Sequence, residues 1–225
     1  PYRFFFRCMT MNDYQKDIKI FQENLNTLPE CWDGKKCVLE LKEADYHWKQ
    51  MEWWAFYFEY IAQKTLEGKI QIPGDKYGNV QFDLKGTINW DLKASAIKTN
   101  NHSIILNDKA AMDLSIKRKG YHGEIIALCD VEYNDADRSF QKWHTELKGG
   151  KSEYEIDREE RTAVSRYRKT RAELVEILIL ILGKKEIGSL PIMKQGRNSD
   201  GSPRKVKYMI DLEKIENIEY YKITY

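Results

Sequence analysis

Two short runs of alternating apolar and polar residues, separated by a turn, constrain the fold of this chain more than any other feature. In residues 80–84, and again in residues 88–92, every second side chain is apolar. An alternation with a period of two is typical of β-strands that bury one face. The turn-forming pair Gly86-Thr87 lies between the runs. The pattern therefore predicts two antiparallel strands joined in a β-hairpin.

The length of the turn determines which residues of this hairpin face one another. With a three-residue loop, Asp83 lies opposite Asp91. Lys85 then lies opposite Asn89 on the same face, and Lys93 follows two residues after Asp91. Two carboxylates at a cross-strand distance repel each other unless a cation lies between them, and Mg²⁺ prefers such oxygen ligands. The hairpin therefore predicts a Mg²⁺ site, the alternative being that its charges cover a solvated face.

The rest of the chain contains patterns of both helices and strands. Apolar residues spaced three and four apart indicate a helix, whereas a short continuous apolar run indicates a buried strand. Helices are predicted over residues 12–26, 108–119 and 135–147, a helix or two in succession over 38–66, a basic helix over 157–174, and a buried strand over 123–133. Residues 174–182 fit either an extension of the basic helix or a buried strand. This order predicts a mixed α/β (α+β) fold in one domain covering residues 1–225.

The middle of segment 38–66 combines aromatic residues with two glutamates. Residues 48–60 read Trp-Lys-Gln-Met-Glu-Trp-Trp-Ala-Phe-Tyr-Phe-Glu-Tyr, which predicts burial on most faces of a helix. Glu52 and Glu59 are seven residues apart and therefore share one side of that helix. A carboxylate among large aromatic rings must be paired, bound to a metal or neutral. Both glutamates are candidates for a functional site.

The spacing of acidic residues in the hairpin resembles the motif of the PD-(D/E)XK nuclease superfamily. In that motif one Asp ends a strand and a (D/E)xK triplet lies on the neighbouring strand, as Asp83 and Asp91-Leu92-Lys93 do here. Residues 50–59 are similar to the first-helix region of some type II restriction endonucleases. No proline precedes Asp83, and Asp75, in Pro73-Gly74-Asp75, is an alternative first carboxylate. The likeness covers residues 38–133, less than half of the chain.

The resemblance implies a type II restriction endonuclease that depends on Mg²⁺ and cuts double-stranded DNA as a homodimer at a short palindrome. Its fold is then a restriction-endonuclease-like mixed β-sheet flanked by helices. Asp83, Asp91 and the carbonyl of Leu92 would hold one or two Mg²⁺ ions, helped by Glu52, and Lys93 would assist the attacking water. Glu59 remains an alternative to Glu52. A repair or recombination nuclease with the same core, or a DNA-binding protein without catalysis, are the other interpretations.

Charge is distributed unevenly along the chain. Lys and Arg total 37 against 35 Asp and Glu, but residues 158–207 contain thirteen Lys and Arg against six Asp and Glu. The segment 157–208 is therefore the predicted DNA-contacting part. Its candidate contacts are Arg166, Arg168, Arg171, Lys194, Arg197, Arg204 and Lys205. Met51, next to Glu52, is either an apolar wedge between base steps or a core residue.

Several classes of protein are excluded by missing patterns. The longest apolar run, residues 174–182, is far shorter than the about 20 residues of a membrane-spanning helix. The first residues have no signal-peptide pattern and the cysteines form no CxxC pair, so we expect a cytoplasmic protein with reduced thiols. The phosphate-binding sequence GxxxxGK(S/T) is absent, which argues against a nucleotide cofactor.

Overall fold

The fold is described from a computed structural model, which covers residues 14–74, 81–97, 102–133, 135–160, 167–194, 196 and 201–225. It mixes helices and strands, which confirms the predicted fold class. The helices are α1 (Gln15–Leu25), α2 (Gly34–Glu43), α3 (Trp53–Leu66), α4 (Lys109–Lys119), α5 (Ser139–Leu147), α6 (Glu153–Glu160) and α7 (Lys184–Ile187). The strands are β1 (Cys31–Asp33), β2 (Leu84–Lys85), β3 (Asn89–Ala96), β4 (Ser103–Asp108), β5 (Tyr121–Glu132), β6 (Arg171–Gly183), β7 (Ile192–Met193), β8 (Lys207–Asp211) and β9 (Glu219–Thr224).

The larger of two sheets has the strand order β1-β6-β5-β3-β2, and β9 also pairs with β6. β3 and β5 run parallel, whereas the other neighbouring strands are antiparallel. The parallel register sets Asp91 beside Glu124 and Lys93 beside Ile126. Residues paired in this way point to the same face of the sheet. Asp91 and Glu124 therefore lie on one face although α4 and β4 separate them in sequence.

The predicted hairpin is present, with the predicted register. β2 pairs with β3 through Leu84 and Trp90 and through Lys85 and Asn89, and the backbone N–H of Gly86 donates to the carbonyl of Ile88 at 2.9 Å. Beyond the last ladder pair, the N–H of Asp83 donates to the carbonyl of Trp90 at 3.1 Å. The three-residue loop thus sets Asp83 against the strand that carries Asp91.

A buried carboxylate on α1 holds the hairpin turn in place. Asp17 is 4 % exposed and accepts hydrogen bonds from the indole N–H of Trp90 at 2.9 Å, from the Thr87 hydroxyl at 3.1 Å and from the backbone N–H of Ile88 at 3.4 Å. A methyl group at Gly86 would come within 2.3–2.6 Å of the same carboxylate. The turn therefore requires glycine because Asp17 occupies the space of a side chain.

Segment 38–66 forms two successive helices rather than one. α2 ends at Glu43 and α3 begins at Trp53. The connection contains two residues in left-handed conformations, Asp45 and His47, with φ of 52° and 39°. A helix cannot continue through such residues. Glu52 consequently precedes α3 instead of lying within it.

The basic helix predicted over residues 157–174 is wrong for residues 167–174, although residues 157–160 do lie in a helix, α6. α6 ends at Glu160, residues 161–166 lie outside the described part, and β6 begins at Arg171. The apolar run 174–182 lies within β6, which resolves the alternative between helix and strand. Its Ile and Val side chains favour a strand. Residues 177–183 of β6 are buried because alternate side chains enter the apolar clusters on the two faces of the sheet.

Apolar side chains cover both faces of the larger sheet. Helices α1, α2 and α3 pack on one face, to which β5 contributes Ile125. The other face carries α4 and the smaller sheet, of strand order β4-β8-β7, and β5 contributes Ile126 there. His122 and Glu124 alternate in phase with Ile126 and interrupt this second apolar face with polar groups.

Candidate active site

The hairpin brings four of the predicted site residues together, namely Asp83, Asp91, Leu92 and Lys93. Asp83 accepts a hydrogen bond from the backbone N–H of Leu92 to its Oδ2 at 2.7 Å. Lys93 Nζ lies 3.7 Å from Asp91 Oδ2 and donates to the carbonyl of Leu92 at 3.3 Å. Asp91 is only 2 % exposed, so the alternative of a solvated hairpin face is wrong for this residue.

Glu59 is the glutamate of α3 on which the charges of the hairpin residues act. Its Oε1 accepts a hydrogen bond from the hydroxyl of Tyr46 at 2.5 Å. Burial, and then the negative charge of Asp83, raise the pKa of Glu59 to about 7. Lys93 opposes that rise, which places Glu59 within electrostatic reach of both hairpin residues.

Glu52 lies elsewhere, with different partners. Its Oε2 accepts from Lys169 Nζ at 2.5 Å and from the indole N–H of Trp54 at 2.9 Å, and its side chain is 52 % exposed. Burial acts to raise the pKa of Glu52, but these two donors outweigh burial and hold the pKa below its usual range. The structure therefore does not bring Glu52 to the group, because this residue precedes α3. Met51, beside it in the same turn, is half-buried.

β5 adds two residues that were not predicted from the sequence. His122 and Glu124 are both fully buried. His122 Nε2 lies 3.3 Å from Glu124 Oε1 and 3.8 Å from Asp91 Oδ2. The signal available in the sequence was a histidine and a glutamate two residues apart at the start of a strand that is otherwise apolar. Their approach to Asp91 depends on the pairing of β3 with β5.

Negative charge exceeds positive charge in this region. Burial raises the pKa of Asp83 to about 6, and it also raises the pKa of Asp91, with the charge of Glu124 adding to the effect. Burial alone would lower the pKa of Lys93, but four carboxylates together raise it well above its usual value, so the ammonium stays charged. These four are Asp91, Glu124, Asp83 and Glu59.

Three buried side-chain atoms of the group have no hydrogen-bond partner. They are Asp91 Oδ2, Glu124 Oε2 and His122 Nδ1. A buried polar atom without a partner costs about 1–3 kcal/mol, and such atoms are rare in folded proteins. One ligand atom from each of these residues lies within 4.8 Å of the others. Two carboxylates and an imidazole are a donor set that fits a divalent cation.

Two of the predicted DNA contacts form ion pairs within the protein. Arg168 is only 4 % exposed and its Nη2 lies 3.2 Å from Glu155 Oε1, so it is not displayed to a phosphate backbone. Arg171 lies at the start of β6 and pairs with Glu132 at 3.2 Å and Glu173 at 3.7 Å.

The basic residues near the smaller sheet are exposed. Lys194 and Arg204 have exposed side chains, and Lys205, also exposed, lies 3.0 Å from Asp108. This sheet reaches the site through Asn107, whose side chain hydrogen-bonds Asp91 and also donates to the carbonyl of Gln81 at 3.1 Å. Arg166, Arg197 and Asp75 lie outside the described residues.

Comparisons with protein-family models, with curated proteins and with solved structures find no match for this chain. Among the helices of the described residues, none combines the length and the apolar character that crossing a membrane requires.

Proposed function

We propose that this protein is a Mg²⁺-dependent endonuclease that hydrolyses phosphodiester bonds of double-stranded DNA, in the manner of a type II restriction enzyme. One observation carries the proposal: Lys93 Nζ lies 3.7 Å from the buried Asp91 Oδ2. The negative charges of Glu124, of Asp83 on the same hairpin and of Glu59 also act on Lys93. An excess of carboxylates around one lysine favours a site completed by a divalent cation.

The residues that would hold Mg²⁺ are Asp83, Asp91 and the carbonyl of Leu92. All three offer oxygen, the ligand atom that Mg²⁺ prefers. Lys93 Nζ lies 3.7 Å from Asp91 Oδ2 and 3.3 Å from the carbonyl of Leu92. These oxygens therefore already attract one positive charge, which supports binding of a cation beside them. A bound ion would lower the pKa of a water molecule and neutralise charge on the phosphate.

The chain supplies the remaining groups for hydrolysis. The ammonium of Lys93 stays protonated and can stabilise the negative charge that develops on the phosphate. Glu59 has a pKa of about 7, close to neutral pH, where a carboxylate accepts a proton from water most effectively. The hydroxyl of Tyr46 orients Glu59 by donating to its Oε1. We therefore assign Glu59, instead of Glu52, as the helix carboxylate of the site.

DNA would reach the site along the smaller sheet. Lys194, Arg204 and Lys205 are exposed beside β7 and β8, and β4 of the same sheet carries Asn107, which bonds Asp91. Cationic side chains near the hairpin favour binding of the phosphate backbone. A palindromic target has two-fold symmetry, so a symmetric homodimer is the assembly that matches it.

A plasmid digest with Mg²⁺ tests this proposal. Discrete fragments that disappear in EDTA are the expected result. A smear would indicate a nonspecific or repair nuclease and would contradict site-specific cleavage. Binding of DNA without any cleavage would exclude both kinds of nuclease. Sedimentation of the protein alone and with a cut-site duplex tests the homodimer, which a single bound chain per duplex would contradict.

A further inference from the structure

We infer that Asp91, His122 and Glu124 form a separate binding site for a first-row transition-metal ion, of the class of Zn²⁺, Co²⁺ or Mn²⁺, that Mg²⁺ does not fill. The inference concerns metal binding and does not require that the chain cut DNA. Asp91 would be shared between this site and the Mg²⁺ site proposed above. In the sheet, β3 with Asp91 lies between β5, which carries His122 and Glu124, and β2, which Asp83 precedes.

The spacing of the ligand atoms fits such an ion. His122 Nε2 lies 3.3 Å from Glu124 Oε1 and 3.8 Å from Asp91 Oδ2. For metal–ligand distances of about 2.1 Å, neighbouring ligand atoms are about 3.0 Å apart in octahedral and about 3.4 Å apart in tetrahedral geometry. In tetrahedral geometry the 3.3 Å separation needs no contraction and the 3.8 Å separation contracts by about 0.4 Å, whereas in octahedral geometry they contract by about 0.3 Å and about 0.8 Å.

Burial and missing partners support a ligand at this position. All three side chains are at least 98 % buried, since Asp91 is 2 % exposed and the other two are 0 % exposed. Asp91 Oδ2 and Glu124 Oε2 have no hydrogen-bond partner, although Lys93 Nζ is 3.7 Å from Asp91 Oδ2. The lysine therefore balances part of the charge without satisfying the oxygen. A metal bond to Asp91 Oδ2 would satisfy it.

Charge and ligand chemistry select the kind of ion. Two ionised carboxylates neutralise a dication, so the ion and its ligands together bring no net charge into the interior. A neutral imidazole nitrogen suits Zn²⁺ and other first-row transition ions, whereas Mg²⁺ prefers an octahedral shell of oxygen atoms. Three protein ligands are also the number found in zinc sites that keep one position open for water.

A Co²⁺ titration followed by visible absorption tests this inference on the full chain. We expect one Co²⁺ per chain with an absorption band that millimolar Mg²⁺ leaves intact and that Zn²⁺ removes. His122→Gln and Glu124→Gln should each weaken Co²⁺ binding by at least about tenfold. His102→Gln is the matched control, since His102 pairs with Glu213 at 3.3 Å outside the site, and it should bind Co²⁺ as the unmodified chain does.

Three results would overturn the site: no Co²⁺ binding by the unmodified chain, displacement by Mg²⁺, or unchanged binding by both folded variants. If circular dichroism shows that a variant does not fold, the Co²⁺ titration of the unmodified chain, with Mg²⁺ as competitor, still decides whether the site exists. Asp83→Asn separates the two proposals, because it should abolish DNA cleavage and keep the Co²⁺ band. Cleavage without any Co²⁺ band would exclude the transition-metal site alone.

Discussion

Asp83 and Leu92 are joined across the hairpin by a hydrogen bond of 2.7 Å from the backbone N–H of Leu92 to Asp83 Oδ2. β2 is only two residues long, and Asp83 lies just before it. Together with the hydrogen bond from the backbone N–H of Asp83 to the carbonyl of Trp90, this bond fixes Asp83 beside the strand that carries Asp91 and Lys93.

Replacing the charged residues of β3 should separate cleavage from binding. Lys93→Met and Asp91→Asn remove the ammonium and one carboxylate of the proposed site, so we expect each to lower the rate of plasmid cleavage at least about 10²- to 10³-fold. DNA binding measured in Ca²⁺ should persist. Lys85→Met is the control, because Lys85 is exposed on the same hairpin and should cut normally. Equal loss of binding in Lys93→Met would indicate a structural role.

The pKa of Glu59 predicts how the stability of the metal-free protein depends on pH. Its folded value of about 7 lies above the ordinary value of 4.5, so the unfolded chain loses this proton first. The contribution of protonated Glu59 to the free energy of unfolding is therefore complete below about pH 4.5 and is lost as the pH rises through about 7. Glu59→Gln should therefore stabilise the protein at pH 8 in EDTA, by on the order of 1 kcal/mol, and leave it unchanged at pH 4. Thermal unfolding measures this, with exposed Glu67→Gln as control.

Metal binding should stabilise the protein more at alkaline than at acidic pH. Carboxylates must be deprotonated to bind a cation, and burial raises the pKa of Asp83 to about 6. A saturating divalent ion should raise the melting temperature by several degrees at pH 8 and by little at pH 5. EDTA should reverse the shift. A rise of equal size at both pH values would mean that the ion binds outside this group.

Two sets of arginine and lysine variants should have opposite effects. Arg168 is buried against Glu155, so Arg168→Met should lower the free energy of unfolding by about 1–3 kcal/mol and leave DNA affinity unchanged. Arg204→Ala with Lys205→Ala should instead preserve stability and reduce the slope of log K against log salt by about 1 for each phosphate that is no longer neutralised. Filter binding at several salt concentrations and urea unfolding distinguish them. Weaker DNA binding by a stable Arg168→Met protein would contradict this assignment.

The close approach of Gly86 to Asp17 predicts a link between α1 and the site. A methyl group at Gly86 would lie 2.3–2.6 Å from the Asp17 carboxylate, so Gly86→Ala should cost about 1–3 kcal/mol of stability and slow DNA cleavage by displacing the hairpin. Gly196→Ala is the control, since no atom of the described residues lies within 4 Å of its added methyl group. Unfolding by urea measures the cost. Equal stability of the two variants would show that the turn yields without strain.

The hairpin was predictable because its information is local. The alternation in residues 80–84 and 88–92, together with a three-residue loop, determines the register, and the structure has the predicted pair of Lys85 with Asn89. The burial of Asp91 was not predictable from the same pattern. Asp91 is buried by β5 and the smaller sheet, whose residues all follow Asp91 in the sequence.

Two features of the site depend on structure that sequence spacing does not reveal. Glu52 and Glu59 share a side only if one helix contains both, but the left-handed residues Asp45 and His47 delay the start of α3 to Trp53. His122 and Glu124 join Asp91 through parallel pairing, which leaves no short-range signal because a crossover separates the strands. The partners of the basic segment were hidden for a related reason: Arg168 is buried against Glu155, and Arg171 pairs with Glu132 on a distant strand while its side chain stays partly exposed.

The parallel register between β3 and β5 also makes the buried ligand group depend on a contact between distant parts of the chain. Asp83 and Asp91, by contrast, belong to one hairpin whose strands are close in sequence. Glu124 reaches its place beside Asp91 only after α4 has crossed the sheet and β5 has docked. The buried ligand group thus exists only when β3 and β5 are paired, and a transition-metal ion bound at the proposed site would report that this pairing has formed.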